Sequence, residues 1–494
     1  MNNRRAWVGW AAALALAVAW TTPAWGIAEN GDKPWSVTTK VGPDARVGGW
    51  FVNLGITGAR AKLTAANPKA LEVAYVFEGT PAHGKLAVGD MIVGAGGKRF
   101  TTAHKHGYGM DKFGGDGPMM DFGNALELAQ GSATLRGRLT LAVVRKDKSK
   151  PEMVELKIPT TYGAYSRTYP FNCPKSDRIL REAYAYLVKR QRPDGTWSGR
   201  PHLNALAALA LLASGDKTHL PHVKKAAEAF ARMTSDEITF GGLQCWKYTL
   251  GGIVLAEYYL ATREKWVLPE LEEINRWLLK AFSPNGGWGH NAYNTEGGNG
   301  YGAINVITMQ GKMAWSLMAR CGIEIDRRRY ALTHEFVGRG TNTIGYVWYK
   351  DGGGKKPGYA DMGRTGAAVL AHYLSPFGGK AYKDYALRSA RCIGTHYKTF
   401  PDTHGSPILG MGWTALGALV DRPSFRNLMD QHKWWFNLAH CPDGTFVYQP
   451  NRDNNPQDYT SAPRLSATAA VALIFSVKHG NLEMMGRGMP GRPR

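Results

Sequence analysis

Two kinds of helical pattern alternate along the second two-thirds of the chain. Stretches such as LNALAALALLASG (203–215), GGIVLAEYYLAT (251–262), INVITMQGKMAWSLMARCG (304–322) and RTGAAVLAHYLS (364–375) are apolar around most of their circumference. Between them, segments 176–191, 222–233, 269–282, 324–338, 380–398 and 424–439 are amphipathic. The apolar runs follow turns rich in Gly and aromatics: PDGTW (193–197), FGGLQCW (240–246), NGGWGHN (285–291), DGGGKKPGY (351–359), HGSPILGMGW (404–413) and PDGTF (442–446). The turns recur at intervals close to the length of a helix pair, which marks a repeat architecture. A helix that is apolar all round belongs in an interior, and a one-sided helix belongs at a surface. The pattern therefore predicts an all-α (α/α)6 toroid over 176–480, six hairpins closed into a ring with the apolar helices inside.

Residues 46–158 have a different texture, with short β-rich runs and many glycines. Strands are predicted at 47–52, 71–77, 91–95, 139–144 and 154–158, with a short helix at 122–130. The chain is thus multidomain: a small β-rich domain, a linker over 159–175, the toroid, and a basic Gly/Pro-rich tail over 481–494 that is expected to be disordered.

The first 26 residues read as a signal peptide. Arg4 and Arg5 precede an apolar run from Ala6 to Trp20, and Ala24-Trp25-Gly26 offers small residues for cleavage. The run is short for a membrane span, although an uncleaved anchor is the other reading. Export to the periplasm, cell surface or medium is expected. The net charge of +22 would point to nucleic acid in a cytosolic protein. After export it points instead to acidic glycans or peripheral contact with the envelope. The five cysteines share no close spacing and do not resemble a disulfide framework.

Within 46–158, the stretch Val76-Phe-Glu-Gly-Thr-Pro-Ala82 followed by Leu86-Ala-Val-Gly-Asp-Met-Ile92 resembles the PDZ domain, as does the Gly-bearing loop Asn53-Leu-Gly-Ile-Thr-Gly58. The resemblance implies a groove for a protein terminus or strand. Backbone N–H groups of Leu54, Gly55, Ile56 and Thr57 would hold a carboxylate, and Phe122, Ala125 and Leu126 would line the side-chain pocket. An insertion over 102–120 and Ile56 in place of the usual aromatic depart from that family's pattern.

The first hairpin ends in Gln191-Arg-Pro-Asp-Gly195-Thr-Trp197. It resembles the QW repeat of squalene/oxidosqualene cyclases and their prenyltransferase relatives, and that family implies the α/α toroid. The acid Asp-x-Asp-Asp motif of those cyclases does not occur, which argues against cyclisation. Zinc-dependent relatives imply a possible ligand set of Cys245, His404 and Cys441, but nothing in the spacing requires these to converge, and no cofactor is expected.

In a toroid the turns before the inner helices gather at one mouth. Trp197, Trp246, Trp288, Asn291, Tyr359 and Trp413 are candidate ligand-binding residues there, and His290, Tyr293, Asp361, Arg364 and His404 are candidate catalytic groups. Aromatic platforms with such polar groups suit carbohydrate. They also suit β-elimination from an acidic sugar, an activity found on several α/α toroids. The competing expectation is that the aromatics only close the end of the ring. These residues lead first to an exported recognition protein, with a peptide groove coupled to a glycan-holding cavity. The alternatives are a lyase-type enzyme acting on acidic polysaccharide and a non-catalytic scaffold.

Overall fold

Six helices with no polar face can be satisfied only by one another, and the computed structural model shows that solution. It describes residues 51–63, 66–104, 116–239, 243–293, 302–352, 359–401, 407–447 and 463–487. The inner helices are α3 (Pro201–Ala213), α5 (Gln244–Thr262), α7 (Asn305–Arg320), α9 (Gly363–Tyr373), α11 (Pro407–Ala418) and α14 (Pro463–Phe475). Each packs on the next, and α14 packs back on α3 to close the ring. The outer layer is α2 (Pro174–Arg190), α4 (Leu220–Met233), α6 (Val267–Lys280), α8 (Arg327–Arg339), α10 (Gly379–Thr395) and α12 (Arg422–Gln431). The last amphipathic segment breaks at His432 and continues as α13 (Lys433–Ala439). In α3 every residue from Leu203 to Ala213 is buried. Helices α9 and α11 approach most closely, because a Cβ added at Gly363 would lie 2.5 Å from the Cα of Gly410.

Buried side chains meet across the interior of the ring. Trp413 of α11 donates its Nε1–H to Gln310 Oε1 of α7 at 3.3 Å, passing in front of α9. The C-terminal ends of the inner helices are covered by residues 481–487. Glu257 of α5 accepts the backbone N–H groups of Glu483 and Met484 at 2.9 and 3.0 Å. Arg320 pairs with Glu483, and Asn481 donates to Ala213 O. Leu482, Met484 and Met485 are buried. The expected disordered tail is therefore corrected over 481–487, where three apolar side chains and the Glu257 anchor fix the chain; 488–494 lie outside the described residues.

The N-terminal unit is an antiparallel sheet in the order β1-β2-β3-β4-β6-β7, with β5 paired to β4. Its strands are β1 (Phe51–Asn53), β2 (Ala59–Lys62), β3 (Leu71–Val76), β4 (Met91–Ala95), β5 (Lys98–Arg99), β6 (Arg138–Val144) and β7 (Glu152–Lys157). One helix, α1 (Pro118–Gly131), packs against β4 and β6. The short strands β2 and β5 escape the period-two pattern, and residues 47–50 lie outside the described residues. Helix α1 also packs along α13 of the ring. Lys175, fully buried at the start of α2, donates to Glu127, Gln130 and Asn437 at 2.8–3.0 Å. Segment 159–175, expected as a linker, is itself packed: Tyr165, Tyr169 and Cys173 are buried, and Tyr165 and Tyr169 meet Phe436 and Phe475 edge-on.

One substitution at two helical glycines tests this docking. A Cβ at Gly123 of α1 would lie 2.5 Å from Trp434 O, while one at Gly338 of α8 meets nothing within 4 Å. Gly123→Ala is expected to lower stability by about 1–3 kcal/mol through backbone overpacking. Gly338→Ala should raise it by about 0.5–1 kcal/mol. Thermal melts of the two variants should shift in opposite directions.

Candidate functional site

The turns that lead into the inner helices are built alike. In each of four, a polar side chain from the start of the inner helix accepts a backbone N–H of the turn. Asn204 Oδ1 holds Trp197 and Ser198, Thr308 Oγ1 holds Trp288, Thr365 Oγ1 holds Val347, and Thr468 Oγ1 holds Phe446, all at 2.9–3.1 Å. A buried N–H would otherwise cost about 1–3 kcal/mol. Trp197 and Trp288 are fully enclosed, and their Nε1–H groups donate to Leu187 O and Leu278 O. Gln191 bridges Gly195 O and His222 O. The expectation that Trp197, Trp288 and Trp413 form ligand platforms is corrected: all three are buried, and their indole nitrogens bond within the ring.

The turns before α5, α7 and α9 meet at a rim. Trp246 Nε1–H donates to His290 Nδ1 at 3.0 Å, and His290 Nε2 lies 3.4 Å from the hydroxyl of Tyr349. With Nδ1 accepting, the neutral imidazole carries its hydrogen on Nε2 and donates to Tyr349 Oη. The Arg364 guanidinium sits 5.9 Å from the Tyr349 ring centroid and 5.8 Å from that of Trp348. Arg364 is buried and pairs with Asp361 at 2.8 Å; it also donates to Val347 O, Ala360 O and the Tyr346 hydroxyl. Asp361 and Tyr359 both have left-handed backbone, with φ of 56° and 49°, a conformation that costs a non-glycine residue about 1 kcal/mol or more. The Asp361–Arg364 pair fixes this turn from inside the protein and does not present itself to the mouth. Tyr359 stacks on His396 at 3.6 Å and 3°.

Of the sequence candidates, the structure joins Trp246, His290, Asp361 and Arg364 into one cluster. Asn291 borders it, its Oδ1 accepting Gln244 N–H at 3.2 Å. Tyr293 is half-buried, and its backbone N–H bonds Ala281 O. Its hydroxyl makes no hydrogen bond to the cluster among the described residues. His404 lies outside the described residues. Sequence reasoning passed over Tyr346, Trp348 and Tyr349. The signal was present: Ile344-Gly-Tyr-Val347 holds the place in its hairpin that NGGW holds in the preceding one, which puts Tyr349 where His290 stands.

Cys245 is buried at the start of α5, and burial holds its thiol far above the usual range. Cys441 lies under the sheet unit, within reach of the Asn53 amide. All five cysteines are free and buried. Among the described residues, no group of three His, Cys, Asp or Glu side chains is placed to hold a metal.

The expected peptide groove is also corrected. Leu54, Gly55, Ile56 and Thr57 are buried in a single 3-10 turn, and a Cβ at Gly55 would strike Asn437 O of α13 at 2.5 Å. Phe122, Ala125 and Leu126 are buried as well. The Asn53 amide donates to Leu438 O at 2.7 Å. Helix α13 thus occupies the face that an external peptide would need.

A second group of titratable side chains lies between the layers. Lys312 of α7 is buried, and its Nζ makes no hydrogen bond among the described residues. It lies 4.6 and 4.2 Å from the Tyr330 and Tyr382 ring centroids. Burial drives its amine well below the usual lysine range. Nearby, His372 Nδ1 bonds Ala368 O, and His334 Nδ1 bonds His372 Nε2, both at 2.7 Å.

The ring and its turns define an α/α toroid with a polar, aromatic rim at the N-terminal ends of α5, α7 and α9. Residues 176–486, well over half of the chain, match a family described as a domain of unknown function, DUF6288, and the chain belongs to that family. A comparison with curated proteins gives no match. Among solved structures, the chain is similar to an inactive variant of the GH76A α-1,6-mannanase of Salegentibacter sp. HEL1_6 in complex with α-1,6-mannotetrose. Identity is 13%, coverage is 62% of this chain and 98% of that one, and the TM-score is 0.45. A type II terpene cyclase, MstE from Scytonema, is 12% identical over 63% of this chain and 99% of that one, with a TM-score of 0.42. A possible GH105-family member from Klebsiella pneumoniae is 13% identical over 61% and 92%, with a TM-score of 0.41. The expectation of a recognition protein is corrected by the structure itself: α13 fills its peptide groove, and buried Trp413 and Gln310 meet across the ring interior.

Two outcomes follow from the buried groups. Lys312→Met removes a buried amine that has only ring faces to lie against among the described residues and is expected to stabilise the fold by about 1–3 kcal/mol, measured by denaturant unfolding. Burial lowers the imidazole of His432 to about 4 and that of His440 to about 3, and puts that of His372 well below the usual range. The unfolded chain takes up these protons below about 6.5, while the native state does not. Stability should therefore fall as pH drops from about 6.5 to about 4, by up to about 1.4 kcal/mol per pH unit for each histidine. Melting temperatures across that window check the sign.

Proposed function

We propose that this protein is an exported enzyme that acts on an acidic polysaccharide at the rim over α5, α7 and α9, by β-elimination. The observation that carries the reading is the Trp246–His290–Tyr349 chain on a half-buried aromatic rim, backed by the Arg364 guanidinium. The imidazole N–H aimed at the phenol oxygen would steady negative charge there as it develops, with the Arg364–Asp361 ion pair behind the ring. Tyr349 is then the base. It removes the C5 proton of a uronate, the C5–H electrons form a C4–C5 double bond, and the C4–O4 bond breaks. The proton carried by Tyr349 passes to the leaving oxygen. Trp246 fixes the tautomer of His290, Arg364 positions Tyr349, and Trp246 and Trp348 offer ring faces to sugar. The basic, apolar pattern of residues 4–20 supports export, and the charge of +22 favours an anionic chain as substrate. The PDZ resemblance of 46–158 supports reading the sheet unit as a PDZ-like module that holds its own α13. The glycan-bound mannanase among the similar structures makes neutral mannan the comparison to run.

The test is to incubate the full-length protein with polygalacturonate and with α-1,6-mannan, following the ultraviolet absorbance of the new double bond and the release of reducing ends. Unsaturated product from polygalacturonate is expected, with Tyr349→Phe lowering turnover about 10²–10⁴-fold while its melting curve stays near that of the parent. Reducing ends without unsaturation would overturn elimination, and no cleavage of either polymer would overturn the enzyme reading.

A further inference from the structure

A second site lies on the outer side of the same rim. Helix α10 and the turn at 342–345 enclose a groove of about 420 Å³, lined by Ile344, Leu387, Arg388, Arg391, Cys392 and His396 among others. That volume lies within the range of small-molecule sites. The α10 residues recur every three or four positions, so they form one face of the helix. The opposite wall is rigid. Gly345, at φ 96°, presses on α10 so closely that an added Cβ would lie 2.8 Å from the backbone of Ser389. Asn342 Oδ1 holds the N–H groups of Ile344 and Tyr346 at 3.2 and 2.9 Å. Charge is uneven within the groove. Arg388 and Arg391 are exposed; Arg391 turns its Nε toward Asp421 at 3.4 Å, and the carboxylate on the same face, Asp384, is paired with Lys380 at 2.6 Å. Ile344, 39% exposed, supplies an apolar wall. The groove adjoins the turn that leads to the rim: the His396 ring stacks on Tyr359, and the Tyr359 centroid is 5.4 Å from that of the buried Tyr346.

We propose that this groove is a secondary binding site for a carboxylated sugar unit of the polysaccharide, held by Arg388 and Arg391 and leading over the Tyr359–His396 stack to the rim. The proposal rests on the reading of the rim as polysaccharide-acting, and it names the substrate class as uronate-bearing. Two guanidinium forks match carboxylates bidentately. The apolar face of a sugar ring fits against Ile344 and Leu387. A chain bound in both places is anchored at two points, so loss of one affects long substrates more than short ones.

The experiment measures binding of the full-length protein to polygalacturonate, α-1,6-mannan and single-stranded DNA by affinity electrophoresis and calorimetry. It compares the parent with R388A/R391A and with R388K/R391K, which keeps the charge and removes the fork. The double alanine variant should bind polygalacturonate at least about tenfold more weakly, with an unchanged melting temperature and unchanged turnover of a trigalacturonate too short to reach both sites. The double lysine variant should fall between. Polygalacturonate binding that R388A/R391A leaves unchanged would overturn the groove. So would an equal loss of DNA binding, which would make it a general polyanion surface. Arg-dependent binding without cleavage would overturn the rim reading and leave the groove standing; cleavage without Arg dependence would do the reverse.

Discussion

Ring closure is the constraint on which the rest of the structure depends. Helix α14 must return to α3, and only then does every apolar face of the six inner helices find a partner. The closure has a local cost, because an inner helix surrounded by others begins where its first N–H groups and the preceding turn cannot reach water. The polar side chains Asn204, Thr308, Thr365 and Thr468 meet that cost by bonding the turns directly. The enclosed tryptophans do the same from the other side, with Trp197 and Trp288 capping carbonyls of the outer helices. At the opposite end the chain supplies its own cover, as Glu257 holds residues 483 and 484. Burial raises the Glu257 carboxyl to about 7, a sign of how dry that end is.

The sheet unit is bound to the ring by the same economy of partners. Lys175 is a fully buried cation whose donors go to Glu127 and Gln130 of α1 and to Asn437 of α13, so one side chain of the ring unites both units. Breaking such a network leaves an uncompensated buried charge, which costs far more than an exposed ion pair. The close approaches of Gly55 and Gly123 to α13 show that this surface is shaped for its own chain. A groove that elsewhere would receive a peptide is here part of the interior.

The alternation of apolar and amphipathic helices is legible in the sequence because burial on all sides and burial on one side leave different patterns. The six amphipathic segments and the four apolar runs named from the sequence fall on helices, whereas α11 and the first turn of α5 begin inside segments read as turns, and the last outer segment breaks at His432. The turns are harder to read. Trp197 and Trp246 occupy equivalent places in sequence, yet one indole is sealed inside and donates to Leu187 O while the other donates to His290 at the rim. Composition cannot separate these fates; they depend on which side of the turn faces the ring. Asp361 and Arg364 were picked out by their polarity, but burial turned them into a brace. Tyr349, whose ring lies 5.9 Å from the Arg364 guanidinium, looks in sequence like one aromatic among many.

The rim is where the satisfied architecture meets solvent, and its features share a cause. Tyr359 and Asp361 keep a left-handed backbone that a relaxed loop would abandon, and the buried Arg364 holds it by bonding Asp361, Ala360 O and Tyr346 together. The same guanidinium lies against the rings of Trp348 and Tyr349. A single cation thus sets the turn's geometry and the electrostatics of the phenol beside His290. The two left-handed residues lie two positions apart on this turn and Leu243 lies on the turn before α5, so the rim carries backbone that its side-chain bonds must hold in place.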